Sequence, residues 1–203
     1  MHALFSRVPS IDVTLYPRDC LHRDAHTVAG IVYDFLSEKL PFELWYTQTL
    51  AHEMRTCAGH HVLERRLAWL FGELSSYTVA SVRGPLFQFL VHLLGTDKNI
   101  IVRCTALHAT ERLVGYEMRE AEKAATLAKL RQGTAPAQPA TPLVAWTPAH
   151  SHALFPLAFQ LIHDLQTLQA RQDALMAVGG IVTVLGGRLQ PATAKVLMDG
   201  LQA

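Results

Sequence analysis

Apolar residues recur at helical spacing along nearly the whole chain. Val28, Ile31, Val32 and Phe35 form one stripe, Leu63, Leu67, Leu70 and Leu74 a second, and Leu86, Leu90, Leu93 and Leu94 a third. Three more follow: Val102, Ala106, Ala109 and Leu113; then Leu154, Ala158, Leu161, Leu165 and Leu168; then Leu175, Val178, Val182, Leu185 and Leu189. Steps of three and four place each set on one face of an α-helix. No stretch alternates polar and apolar residues between hairpin turns, so the pattern offers no source for a sheet. The chain is expected to be all-α.

Short connections at Tyr77 to Ala80, Gly95 to Lys98 and Gln169 to Gln172 predict antiparallel neighbours lying side by side. Asp97 is expected to cap the helix through Val102, Pro191 to sit in the first turn of a final helix, and Pro156 to kink its helix or mark its first turn. Gln132 to Ala149 carries Pro136, Pro139, Pro142 and Pro148 among Ala, Gln and Thr, the composition of a flexible loop. Before it, Tyr116 to Arg131 is rich in Glu, Lys, Arg and Ala and predicts a solvated helical extension.

No single helical hairpin is long enough to close a core of its own, and each carries apolar residues on more than one side. Stacking resolves this. Arg66 and Arg103 fall about 37 residues apart in similar surroundings, near the roughly 40–47 residues of a HEAT or armadillo unit. The expected architecture is a HEAT-repeat α-solenoid: repeats over 1–131 with the charged extension at 116–131, a Pro-rich loop at 132–149, and further repeats over 150–203, the last incomplete.

Composition narrows the functional classes. Half of the 203 residues are apolar, enough for a sizeable core, and 18 basic against 17 acidic residues give no long-range field for nucleic acid or an anionic membrane. Three scattered cysteines, Cys20, Cys57 and Cys104, lack any CxxC pair and fit a reducing compartment. The N-terminus has no signal-peptide pattern, and the apolar run Ala174 to Gly187 is shorter than a membrane span. A soluble intracellular protein without membrane insertion is expected.

The stretch Leu90 to Ala109 (LVHLLGTDKNIIVRCTALHA) resembles a HEAT repeat at the turn between its helices, where an Asp is followed by Val-Arg and then by small residues. A closer resemblance runs through Arg23-Asp24-Ala25, Val32-Tyr33-Asp34, Phe42 to Trp45, Glu64 to Leu74 (ERRLAWLFGEL) and Arg83 to Phe87. That order is similar to the middle of nuclear transport receptors of the importin-β superfamily, most of all the importin-eleven branch. It covers Cys20 to Leu113 well and Leu154 to Leu201 more loosely. The resemblance implies a solenoid that carries protein cargo through nuclear pores, binds Ran-GTP, touches Phe-Gly nucleoporins and shuttles between nucleus and cytoplasm. Such receptors are several times longer, so the chain is expected to be one segment of a larger protein. After the Val102 helix the sequence departs from the family: the charged extension and Pro-rich loop replace a short acidic and aromatic connection.

Within this frame Arg66, Asp97 and Arg103 are expected to tie neighbouring repeats together, with Trp69 and Val102 packing between them. If the second helix of each hairpin lines the concave face, Arg65, Ser76, His108 and Glu111 are the positions a partner would meet. Eleven histidines include His22 and His26 one turn apart, His60 beside His61, and His150 near His152, but no HExxH or paired-Cys motif completes a zinc set. Gly179-Gly180 and Gly186-Gly187 lack the Gly-Lys-Ser/Thr ending of a phosphate loop, and no GxSxG elbow occurs. The expectation is a binding protein rather than an enzyme, without a metal or other cofactor.

Overall fold

The computed structural model describes residues 41–132 and 145–202, and these are helical with no strand among them. The expected stripe at Val28 to Phe35, the motifs before Phe42, and His22 and His26 lie outside the described residues. So do Pro136, Pro139 and Pro142.

A first helical stretch begins as α1 (Phe42–Trp45), passes through a π-helical turn (Tyr46–Leu50) and ends as α2 (Ala51–Thr56). Gly59 then turns the chain with φ of +82°, a left-handed conformation that strains any residue with a Cβ. Next come α3 (His61–Glu73), α4 (Ala80–Thr96) and the long α5 (Ile100–Gln132). Beyond the undescribed segment lie α6 (Pro148–Asp164), α7 (Leu168–Leu185) and α8 (Pro191–Gln202). Short 3-10 turns follow α3 (Ser75–Tyr77) and α7 (Gly186–Arg188).

Packing follows a next-but-one rule. α3 lies on α5 and α5 on α7, while α4 lies on α6 and α6 on α8; α4 also packs along α5, and α6 along α7. Two layers result, and the core lies between them. It holds Leu67 and Phe71 of α3, Leu86, Phe87 and Leu90 of α4, Leu107 and Leu113 of α5, Leu154 and Leu161 of α6, and Ile181 of α7, all buried. At Gly72 the α3 backbone comes so close to α5 that an added Cβ would stand 3.0 Å from Ala109 Cα.

Several boundaries differ from those the sequence suggests. Leu63 and Leu175 are exposed, because the apolar face of each helix is narrower than its stripe. Leu168 is exposed as well: it opens α7 rather than continuing α6, whose last turn ends at Asp164. The α6–α7 connection is therefore residues 165–167 and not Gln169 to Gln172. There Thr167 caps α7 by accepting the Ala170 N–H at 3.2 Å.

The helix through Val102 and the charged extension form one helix. α5 runs straight through Gly115, which no Pro or left-handed residue interrupts. Asp97 does not cap α5 directly. Its Oδ1 accepts the Asn99 N–H at 2.6 Å, and Asn99 Oδ1 accepts the Ile101 N–H at 2.9 Å, so Asn99 is the cap and Asp97 shapes the turn before it.

The expected loop also ends earlier than Ala149. Ala145 and Trp146 are buried, and Pro148 occupies the first turn of α6. Thr147 precedes it, with its N–H donated to His150 Nδ1 at 3.0 Å. Trp146 stands edge-on to Phe87 at 4.8 Å between centroids, and its Nε1 donates to Ser151 Oγ at 2.8 Å. Glu117 of α5, itself buried, accepts the Ala145 N–H at 2.6 Å and the Trp146 N–H at 3.2 Å. Pro156 lies mid-helix in α6 and Pro191 opens α8.

Candidate functional site

The residues named as partner positions fall in or beside the α3–α5–α7 layer. Arg65 is on α3, Ser76 in the turn after it, and His108 and Glu111 on α5, with His108 Nδ1 3.7 Å from Glu111 Oε2. Between α5 and α7 runs an open groove of about 350 Å³ lined by Ser75, Glu111, Arg112, Arg119, Gly180 and Val184. Glu111 reaches across to α7 because Gly180 has no side chain; a Cβ there would collide with its carboxylate. Arg112 pairs with Glu73 of α3. The structure thus places Glu111 in the groove wall with His108 beside it on α5, while Ser75 rather than Ser76 lines the groove and neither His108 nor Arg65 does.

Of the residues named for repeat stacking, Val102 is buried and Trp69 packs partly buried against the core. Arg66 is half-buried on α3. Arg103 lies where three elements meet: its Nε donates to Leu94 O at 2.9 Å, and a terminal nitrogen meets Asp164 Oδ2 at 2.7 Å. It fastens α5 to the last turn of α4 and to the end of α6. Arg171 repeats the first of these bonds one hairpin later. Like Arg103 it is the fourth residue of its helix, and its Nε donates to Leu165 O at 2.6 Å, just beyond α6.

Asp97 does more than shape its turn. Its side chain is 2% exposed, and Oδ1 lies 2.9 Å from Nδ1 of His61 at the start of α3. One turn along α3, Glu64 Oε2 lies 3.5 Å from the same nitrogen, and the three ligand atoms all fall within 4.8 Å of one another. Gly59 is the positive-φ residue before α3, and its N–H holds Glu64 Oε1 at 3.0 Å. No donor is in place for Glu64 Oε2 or Asp97 Oδ2. Burial, and then the adjoining Asp97 carboxyl with which a protonated Glu64 could share its proton, raises the Glu64 pKa. Burial pushes Asp97 the same way, but the Asn99 N–H, Glu64 and His61 outweigh it, and its pKa is lowered. Nearby, burial and then the Glu64 charge push the Cys57 thiol up to about 11, leaving it a poor nucleophile.

No family model matches the chain, and neither the curated proteins nor the solved structures hold a match to it. No helix among the described residues is long and apolar enough to cross a membrane.

His61, Glu64 and Asp97 together, and Glu117 and Arg171 singly, escape sequence reading. His61 and Glu64 sit three apart in a common helical spacing, and only the turn between α4 and α5 brings Asp97 onto them. The available signal was a carboxylate one turn after a histidine on the face that also carries Leu67 and Phe71. Arg171 lies within the connection that the sequence suggests at Gln169 to Gln172, and only the observed start of α7 at Leu168 makes it the counterpart of Arg103.

Proposed function

We propose that this chain is a HEAT-type helical-repeat scaffold that binds proteins and performs no chemistry, and that it is a segment of a nuclear transport receptor of the importin-β superfamily. The supporting observation is the next-but-one packing, in which α3, α5 and α7 form one layer and α4, α6 and α8 the other. Antiparallel pairs stacked this way add further pairs without changing the arrangement, and the Arg103 and Arg171 contacts recur at equivalent places in two of them. Such a stack presents long surfaces to partners. The groove between α5 and α7, with carboxylate and guanidinium groups side by side, suits a polar protein partner.

The transport reading, as against a general HEAT scaffold, rests on the resemblance at Trp45 and from Arg65 to Gly72. In it the solenoid changes curvature as protein cargo and Ran-GTP compete for its inner face, each favouring the form it binds better. The protein then shuttles between nucleus and cytoplasm, using neither cofactor nor nucleic acid. The test is retention of the complete gene product on immobilised Phe-Gly nucleoporin repeats beside a column whose phenylalanines are serine. Selective retention, with cargo released by Ran-GTP, supports the receptor. Equal flow-through on both columns, with co-purification in a fixed stoichiometric complex, makes it a scaffold subunit of another assembly.

A further inference from the structure

The turn that joins α4 to α5 meets the start of α3 at the three side chains His61, Glu64 and Asp97, and these are arranged as donors around a common point. His61 Nδ1 lies 2.9 Å from Asp97 Oδ1 and 3.5 Å from Glu64 Oε2. A tetrahedral ion about 2.0–2.2 Å from each donor holds its donors about 3.3–3.5 Å apart, so the His61–Glu64 separation fits, the His61–Asp97 pair must open by about 0.5 Å, and all three atoms already lie within 4.8 Å of one another. Two further oxygens argue for an occupant. Glu64 Oε2 and Asp97 Oδ2 have no hydrogen-bond donor, on side chains only 8% and 2% exposed. Buried oxygens of this kind are normally satisfied by a donor, a water or a cation.

The supports are those of a ligand set. Gly59 N–H fixes Glu64 through Oε1 and leaves Oε2 free; Asn99 N–H fixes Asp97 through Oδ1 and leaves Oδ2 free. His61 is 46% exposed and forms the solvent side of the cluster, so an ion has a path in and a water can fill the fourth position. We propose that His61, Glu64 and Asp97 bind one divalent transition-metal ion, zinc by its donor set, which clamps α3 to the α4–α5 turn. One imidazole nitrogen with two carboxylate oxygens selects zinc over magnesium and calcium, which take oxygen donors. The role is structural: the ion joins two helix pairs, and its site is independent of the transport reading.

The test is equilibrium dialysis of the chelator-stripped full-length chain against zinc, with magnesium as control. Because other histidines and cysteines bind zinc weakly, the comparison is with His61→Ala and Glu64→Gln, and with His92→Ala, an exposed histidine on α4, as a neutral control. The expected result is one tight ion per chain in the wild type and in His92→Ala, weakened at least about tenfold in each ligand variant. Zinc should also raise the Tm of the wild type but not of His61→Ala, whose folding is checked by circular dichroism. The proposal fails if the wild type shows no saturable site at micromolar zinc, or if both ligand variants bind as it does. Tm changes that follow the variants without bound zinc would show a hydrogen-bonded, proton-holding cluster instead.

Discussion

Glu64 and Glu117 are both buried on helices of the same layer, yet their surroundings leave them in opposite positions. Glu117 meets two backbone N–H groups, those of Ala145 and Trp146, in the junction that seats the start of α6 beside Phe87. Glu64 meets one, and its second oxygen faces another carboxyl and an imidazole. A buried carboxylate stabilises a fold when donors surround it and weakens the fold when they do not. The Glu117 junction therefore holds α4, α5 and α6 together, whereas the Glu64 cluster responds to protons and cations.

The largest effect expected is at the satisfied junction. Phe87→Ala removes a fully buried ring and its edge contact with Trp146, and should cost about 3–5 kcal/mol by urea denaturation. Glu117→Ala should cost about 2–4 kcal/mol, because two buried N–H groups lose their acceptor. A loss under 1 kcal/mol in the latter would mean that water reaches the junction and would end the contrast with Glu64. Arg103→Ala, which frees Leu94 O and Asp164 together, should cost about 1–2 kcal/mol.

The smallest effect should have the opposite sign. In chelator-treated protein at pH 7, Glu64→Gln should be neutral or stabilising by less than about 1 kcal/mol, since an amide gives the Asp97 oxygen a donor without needing a proton. The gain should depend on pH. Glu64 has its ordinary value of 4.5 when unfolded and a raised value when folded, so the folded chain holds the extra proton between the two. The contribution of Glu64 to stability falls as pH rises through that window and is flat above it. Asp97 acts the other way: its folded value lies below 3.8, and its contribution is present above 3.8 and lost as pH falls through the folded value. Denaturation at several pH values should show the Glu64→Gln advantage opening above pH 4.5; a constant difference from pH 4 to 7 would erase the contrast between the two glutamates.

The all-helical character was legible because stripes such as Leu86, Leu90, Leu93 and Leu94 need only local spacing, and all four are buried in α4. Helix ends were less legible, since they depend on single caps. Asn99 rather than Asp97 caps α5, and Leu168 shares the spacing of the α6 stripe while opening α7. Trp146 lay within a Pro-rich composition that argued for a loop, and only its position beside Phe87 and Ser151 shows why it is ordered. The cluster at Asp97 was out of reach for another reason. Its chemistry depends on how closely α3 approaches the α4–α5 turn, and that distance is set by packing at contacts such as Gly72 against Ala109.

The bond between Glu117 and Ala145 joins positions 28 residues apart, and α6 rests on α4 as α7 rests on α5. Covalent continuity between the two halves is thus not what holds them. A protein nicked between residues 133 and 144 should remain one particle on a sizing column, and separately expressed halves should complement each other. The stack is a noncovalent assembly that happens to be threaded on one string.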